Sequence, residues 1–420
     1  LLIIYIMSSF SVDISNTEIK ENTLNFHVSG SVDYGLDKSI VNSLRRTLLS
    51  EIPCVAFRVE EDSPKDIIME VNNTSLHNEY LLHRLSMIPL YIDPEEYEKQ
   101  YLFYLNVKHD SSDPFRFVTT NDIIIYPLKK DIEPSSTHTF SLDDYDRKHP
   151  LSKEEHKEIF RPFIFRGKEY PILITELKST DTEGVSQELV CYGVPSVSDG
   201  REHARWKCCS DAIYTFLPNE ELFMRTANEK AGIKKIIDDA ERDKFINSLR
   251  LSEGERYFFR DKFNEPNQYT FTITSVHKYS NKELFIKSCE IMEQKLMKTK
   301  EQLIHLTMGQ ESTILVEPHV NENTYHFKLC GENDTIGNVL QSHIVNKYTE
   351  ADSLLSFCAY KKSHPLEEYI NLYIGLNPSN AVFGKSEEMK LNAIVKFMDD
   401  VIEDIMNIYR DISKEASKSL

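Results

Sequence analysis

Seven cysteines in 420 residues, an odd number with no C-x-x-C pair among them, leave no disulfide framework and no zinc site to read from spacing. We read them as reduced core residues of a protein in a cytosol-like or nuclear compartment. Long hydrophobic runs are also missing. Leu1–Ile6 is apolar but far shorter than a signal-peptide core or a membrane span, and the first Met stands at position 7. Basic residues are in deficit: 49 Lys and Arg face 67 Asp and Glu, a formal net charge of −18. That balance argues against a chain that grips a phosphate backbone by itself. A phosphate loop is missing as well, because Gly384-Lys-Ser386 is preceded by Ser379 where such a loop needs its first glycine. What remains is a globular composition, 28% charged and 40% hydrophobic, on a length that supports two or three cores.

The chain is organised around Ser39-Ile-Val-Asn-Ser-Leu-Arg-Arg-Thr-Leu-Leu-Ser-Glu-Ile-Pro53. Ile40, Val41, Leu44, Leu48, Leu49 and Ile52 recur at spacings of one, three and four, which predicts a helix with one broad apolar stripe. Asp37 or Ser39 is its expected cap and Pro53 its stop. A stripe this wide suits a helix gripped from two sides. Its polar face carries Arg45 and Arg46, each able to fork onto a carboxylate of a partner.

A second stretch, Val71-Asn-Asn-Thr-Ser-Leu-His-Asn-Glu-Tyr-Leu-Leu-His-Arg-Leu-Ser-Met-Ile-Pro-Leu90, predicts a helix capped by Ser75 and stopped at Pro89, with Glu79 and His83 able to pair across one turn. Together the two stretches resemble the dimerisation segment of the RNA polymerase alpha family, which includes the bacterial alpha subunit, its archaeal counterpart and the third-largest subunit of eukaryotic RNA polymerase II. The family pattern is N-A-L-R-R-I-L-L-x-x-x-P, then N-T-S, then D/E-x-x-x-H-R-x-G-x-I-P-L. Its counterparts here are Asn42–Leu49 with Pro53, Asn73–Ser75 and Glu79–Leu90, with Ser43 for the usual alanine and Ser86 for the usual glycine.

The rest of the chain is read in the same frame. Phe10–Ser29 alternates as a hairpin, and Cys54 to about Ser196 breaks into short strands, as expected of the family's inserted domain. Relatives often carry a zinc loop or an iron–sulfur domain there. With only Cys54 and Cys191 between Leu1 and Glu202, neither is expected in cysteine-ligated form. Asp143-Asp-Tyr-Asp146 reads as a solvated loop, not a magnesium site.

Gly200-Arg-Glu-His-Ala-Arg-Trp-Lys-Cys-Cys resembles the G/K-x-x-H-A-K/R-W segment of third-largest subunits. His203, Arg205 and Trp206 are read as a partner-facing patch, with the alternative that Trp206 fills a core corner. Asn219–Asn267 is a charged, helix-prone insertion, Tyr269–Val276 a strand, and Leu284 to about Leu306 a long helix.

After a linker at Thr307–Ser312 the plan repeats in shorter form: a strand at Thr324–Cys330, a helix capped by Asp334 or Thr335, strands at Leu354–Glu367 and Ile370–Leu376, and a helix from Lys390 to about Ser413. This run resembles the eleventh subunit of RNA polymerase II and its small archaeal counterpart. Their marks E-D-H-T-L-G-N-x-L and G-Y-x-x-P-H-P-L-E stand here as Glu332–Leu340 and Ala359–Glu367, with Asn333, Asp334 and Ser363 as departures.

The resemblance implies an α+β fold: an alpha-like domain in two pieces, 8–53 and 197–306, interrupted by a strand-rich domain, 54–196, and fused to a small domain, 313–420. The halves would pair through four helices, using Ile40, Leu44, Leu48, Leu296, Leu303, Ile336, Leu340, Leu391, Met398, Ile402 and Ile405. It implies a non-catalytic assembly subunit of a multisubunit DNA-directed RNA polymerase, without cofactor or metal. Arg45, Arg46, Glu79 and Arg84, with the His203 patch, would receive the second-largest and then the largest catalytic subunit, with small zinc-binding subunits as further partners and no membrane or direct sequence-specific nucleic-acid contact. A fused pair is expected of a large nucleocytoplasmic DNA virus, placing the protein in the cytoplasmic factory and virion; otherwise it is nuclear. The competing class is a thiol enzyme on the same scaffold, built on His203, Cys208 and Asp211.

Overall fold

The computed structural model describes residues 13–20, 23–30, 36–59, 66–97, 99–109, 113–132, 140–179, 186–236, 238–261, 264–318, 324–348, 354–380 and 382–420. Leu1–Met7 and Phe10 lie outside them. In chain order come β1 (Asp13–Lys20), β2 (Thr23–Ser29), α1 (Lys38–Ser50), β3 (Cys54–Ala56), β4 (Ile67–Asn72), α2 (Asn78–Ser86), β5 (Tyr101–Lys108) and β6 (Phe115–Thr119). Then follow β7 (Ile123–Pro127), α3 (Lys153–Ile159), β8 (Phe163–Phe165), β9 (Lys168–Tyr170), β10 (Leu173–Lys178), β11 (Glu188–Gly193), β12 (Ser196–Ser198) and β13 (Cys209–Phe216). The remainder is α4 (Glu220–Ile233), α5 (Asp239–Glu253), β14 (Gln268–Ser275), α6 (Asn281–Thr307), β15 (Ile314–Pro318), β16 (Thr324–Cys330), α7 (Asp334–Tyr348), β17 (Leu355–Lys361), β18 (Tyr369–Leu376) and α8 (Glu387–Ser419). The fold is mixed α and β. Among the described residues no helix is long and apolar enough to cross a membrane.

The chain divides into two compact units. One joins Leu1–Leu48, Asp211–Thr274 and Asn281–Leu420; the other joins Leu49–Ser210 and Ser275–Ser280. Residues 313–420, read from sequence as a separate small domain, therefore cluster with the first hairpin, α1 and α6.

The first unit holds two four-stranded sheets, ordered β1-β2-β14-β13 and β15-β16-β18-β17. Each follows one plan. A hairpin leads to a helix, two more strands follow, the later of them pairs with the hairpin's second strand, and a long helix closes the run. Alternation makes one face of each sheet apolar. Leu24, Phe26 and Val28 of β2 and Tyr269, Phe271 and Ile273 of β14 are buried in one; Phe327 and Leu329 of β16 and Ile370, Leu372 and Ile374 of β18 in the other. Phe285 of α6 meets Phe26 and Phe271 edge-on, with centroids 4.9 and 5.4 Å away. On the second sheet α7 is seated through Gly337, where an added Cβ would lie 2.8 Å from the Tyr360 ring.

Local chemistry sets the helix ends. Asp37 Oδ1 accepts from Ser39 N at 2.9 Å, so Asp37 caps α1. At α7 the expectation of Asp334 or Thr335 needs correcting, because Asn333 Oδ1 accepts from Thr335 N at 2.9 Å. At α2 the helix begins at Asn78 with His77 as an N-cap without a side-chain bond, not at Ser75. The preceding N-T-S stretch is spent on a turn in which Asn72 Oδ1 accepts from Thr74 N at 3.0 Å. Gly309, with φ +67, ends α6: Gln310 N donates to His305 O at 3.0 Å and Gly309 N to Leu306 O at 3.3 Å. Ser386, in the stretch rejected as a phosphate loop, caps α8 by accepting from Met389 N. That helix spans Glu387–Ser419, longer at both ends than its sequence pattern suggests.

The insertion between β13 and β14 is the pair α4 and α5, packed through Phe223, Ala227, Ile246 and Leu249. In the second unit, a sheet ordered β4-β11-β5-β7 carries one core. Leu81, Leu82 and Leu85 of α2 belong to it, with Phe103, Leu105, Ile174 and Phe160.

Candidate subunit interface

In the first unit the residues assigned to pairing lie on α1, α6, α7 and α8. Ile40, Leu44, Leu48, Leu296, Leu303, Ile336, Leu340, Met398, Ile402 and Ile405 are all buried; Leu391 is half-buried. α1 is closed in on a second side as well, since Ser39, Ser43 and Thr47 are buried beside its apolar stripe. Ser43 Oγ donates to Ile40 O at 2.6 Å and lies 2.6 Å from the Tyr409 hydroxyl of α8, a buried hydrogen bond between residues far apart in sequence. Burial pushes the Tyr409 phenol well above its ordinary value, so it stays a neutral donor.

A hydrogen bond and several ion pairs flank the contact between α6 and α8. Lys282 Nζ donates to Ser417 O at 2.8 Å, Arg410 reaches Glu293 at 2.6 Å, and Lys300 reaches Glu403 at 3.0 Å and Asp399 at 3.3 Å. As the α6 numbers rise the α8 numbers fall, so the two helices run antiparallel. Hydrogen bonds from Lys300 and then Arg410 hold the Glu403 carboxyl below the usual carboxylate range.

The paired arginines divide their labour. Arg46 Nε donates to Thr335 Oγ1 on α7 at 2.8 Å, a contact inside the chain, so its assignment to an outside partner needs correcting in part. Arg45 Nε donates to Asn42 Oδ1 at 3.0 Å on its own helix, and both side chains are half-buried.

In the second unit, Glu79 and Arg84 are exposed on α2, as is His83. The expected pairing of Glu79 with His83 is not formed; Arg84 Nη2 instead donates to Leu173 O at 3.0 Å. The outward-facing reading is corrected for Arg205 and Trp206, the latter filling a core position as the alternative had it, while His203 is half-buried. Trp206 is 0% and Arg205 5% exposed, and both face inward because a run of contacts closes over them. Arg205 Nη1 donates to Phe57 O at 2.8 Å, and the guanidinium groups of Arg58 and Arg205 lie 5.2 and 5.4 Å from the indole centroid. Arg58 in turn forks onto Glu202 at 2.6 and 2.9 Å, lowering that carboxyl. His203 Nδ1 accepts from Arg205 N at 3.2 Å. The segment is a lock between the chain's return and the Phe57–Arg58 stretch. Sequence reasoning missed Arg58 and Glu202, whose only signal is a pair of opposite charges separated by a long interval.

The thiol-enzyme alternative finds no support. Cys208 is 1% exposed, its Sγ directed at Ile52 O at 3.4 Å. The neighbouring Cys208 thiol, and then burial, push Cys54 up, the opposite of nucleophile activation. Among the described residues no group of three or more His, Cys, Asp or Glu could hold a metal ion.

Set beside known proteins, residues 34–296 match the RNA polymerase Rpb3/Rpb11 dimerisation domain. The DNA-directed RNA polymerases I and III subunit rpac1 of Dictyostelium discoideum is 27% identical over 299 residues, 63% of this chain and 77% of that protein. Subunit RPAC1 of the same polymerases in Saccharomyces cerevisiae is 24% identical over 315 residues, 68% of this chain and 85% of that protein. The DNA-directed RNA polymerase II subunit RPB3 of Schizosaccharomyces pombe is 24% identical over 279 residues, 63% of this chain and 81% of that protein. The chain belongs to the RNA polymerase Rpb3/Rpb11 dimerisation domain family.

Proposed function

We propose that this member of the family is a non-catalytic scaffold subunit of a multisubunit DNA-directed RNA polymerase, and that it carries both partners of an alpha-like pair in one polypeptide. The observation that carries the reading is the repeated strand order, β1-β2-β14-β13 and β15-β16-β18-β17, within one compact unit. The helices of the two copies share buried contacts such as Ser43 with Tyr409. A short tether keeps the copies at an effective concentration of order millimolar. Pairing then becomes a step of folding instead of an encounter between chains.

In this reading the half-buried Arg45 of α1 and the exposed polar face of α2 each contact the second-largest catalytic subunit, after which the largest joins. The chemistry of transcription belongs to those subunits. Arg45 and Arg84 are the residues to test, because Arg46 holds α1 to α7 through Thr335 and its substitution would disturb the contact between the copies. The double substitution Arg45→Glu, Arg84→Glu is expected to leave the circular dichroism spectrum and thermal midpoint of the purified chain unchanged while reducing co-purification of the second-largest subunit at least tenfold. Unaltered assembly would remove these residues from the proposal.

A further inference from the structure

We infer that the β8–β9 hairpin is a docking element for another protein chain, one that presents an apolar cleft rimmed by carboxylates. Every residue from Phe163 to Tyr170 is exposed, with Phe163 and Ile164 at 66%, Phe165 at 50% and Tyr170 at 41%. The two strands pair with each other alone, in the register Phe163↔Tyr170, Ile164↔Glu169 and Phe165↔Lys168. Successive residues of a strand point to opposite faces, so Phe163, Ile164 and Phe165 load both sides of the ribbon with apolar surface. A two-stranded hairpin is marginal in water by itself. Among the described residues of its own unit, none covers it.

Its stem, by contrast, is fixed. Ile159 and Phe160 are buried in the core, Tyr91 N donates to Ile159 O at 3.0 Å, and Lys157 holds Glu169 at 2.8 Å. The tip is a two-residue turn in which Arg166 and Gly167 have φ +50 and +75, a conformation that favours Asn-Gly. An arginine there gives up some turn stability. It places a guanidinium 5.1 Å from the Phe165 ring centroid, while Lys168 Nζ lies 5.4 Å from that of Tyr170.

Charge selects the occupant. Arg166 and Lys168 lie against the rings of the apolar strip, and Arg161 stacks on Tyr91 at its stem, in a chain whose net charge is −18. A second copy would set these cations against themselves. Phe163, Phe165 and Tyr170 share one face, with the two phenyl rings stacked at 6.4 Å between centroids, so a nucleic acid stacking there would leave Ile164 bare on the other face, whereas a protein cleft covers both. An acidic protein surface satisfies both the cations and the apolar strip.

The inference rests on the subunit reading only in where the partner is sought, namely the complex that purifies with the tagged full-length chain. A photo-crosslinking residue in place of Ile164 is expected to join one defined peptide of a different chain, with an excess of Asp and Glu around apolar residues. Phe163→Ser with Phe165→Ser should then weaken binding of that chain roughly thirtyfold, the scale of two interface anchors. Arg166→Asn suits the turn and keeps the hairpin folded; it should weaken binding less and reduce its salt dependence. Crosslinks confined to this chain, to a second copy, to nucleic acid or to acidic lipid vesicles, or no crosslink at all, would overturn the inference. A crosslinked acidic protein foreign to any polymerase would keep the inference and sink the subunit reading. Retention of the second-largest subunit without an acidic crosslinked chain would do the reverse.

Discussion

The two sheet-and-helix copies of the first unit share a strand order and differ in what their connections tolerate. Between α7 and β17, and between β17 and β18, the second copy uses short links. At the corresponding places the first copy accommodates β3 through β12, then α4 and α5. Inserted chain leaves the repeated architecture intact because it enters where the backbone already turns at the surface, and loop length costs little free energy once the ends are fixed. What both copies preserve is the set of buried helix faces. The core of this unit is therefore a property of the pair of copies, and the insertions belong to the first copy alone.

The strongest attempt to break that equivalence is Ile402→Asp. Ile402 is 0% exposed, and an unpaired carboxylate there costs more than about 4 kcal/mol. If the copies form one cooperative core, hydrogen exchange should accelerate in α1 and α6 of the first copy as well as in α8. Exchange confined to the second copy would show two independent bodies.

Gly337→Ala comes next. In an exposed helix this change stabilises by about 1 kcal/mol. Here the added Cβ would lie 2.8 Å from Tyr360 Cδ2 and 3.0 Å from Ile370 Cδ1, so a net loss of about 1–3 kcal/mol is expected in urea unfolding. A gain in stability would mean that α7 can lift from its sheet without cost, which would set it apart from the tightly seated α6.

The same contrast explains what is legible in the sequence. Long helices with many turns of apolar periodicity, α6 and α8, stand out, as does the organising helix α1. Strand β15 does not, because Ile314-Leu-Val-Glu-Pro318 is short, ends in proline and shows little alternation. The N-cap of α7 lies one residue before the expected pair because Asn333, Asp334 and Thr335 are all good caps and only geometry chooses among them. Residue type alone points Trp206 toward an interface, yet what decides its place is the Arg58–Glu202 lock, invisible without coordinates. The inward use of Arg46 is equally hidden, since its acceptor Thr335 lies 289 residues away.

Ser43→Ala probes the polar point at which α1 meets α8. Removing the hydroxyl leaves Tyr409 buried without this partner and should cost about 1–3 kcal/mol. Tyr409→Phe alone removes the other half of the bond. In the double variant no orphaned hydroxyl remains, so its loss should be smaller than the sum of the two single losses. Additive losses in a denaturant double-mutant cycle would show that the 2.6 Å contact contributes nothing specific to joining the copies.

The smallest effect belongs to the ion pairs along α6 and α8, and its pH dependence has a definite sign. Glu403 is held below its ordinary value of 4.5 by Lys300 first and Arg410 second. Its contribution is therefore present above about pH 4.5 and is lost as the pH falls through the lower folded value. Lys300 is raised above 10.5, chiefly by Glu403, so its share is present below that pH and disappears as the pH rises through the higher folded value. Between those limits the pairs act together. The Glu403 side chain is 41% exposed, so solvent screening holds the gain to a few tenths of a kcal/mol and at most about 1 kcal/mol. Glu403→Gln should accordingly lower stability slightly at pH 7 and low salt, with the difference from wild type shrinking in 1 M salt and again below pH 4. A loss of several kcal/mol that ignored salt would mean that charge, and not the apolar faces of Ile402 and its neighbours, decides whether the two copies stay joined.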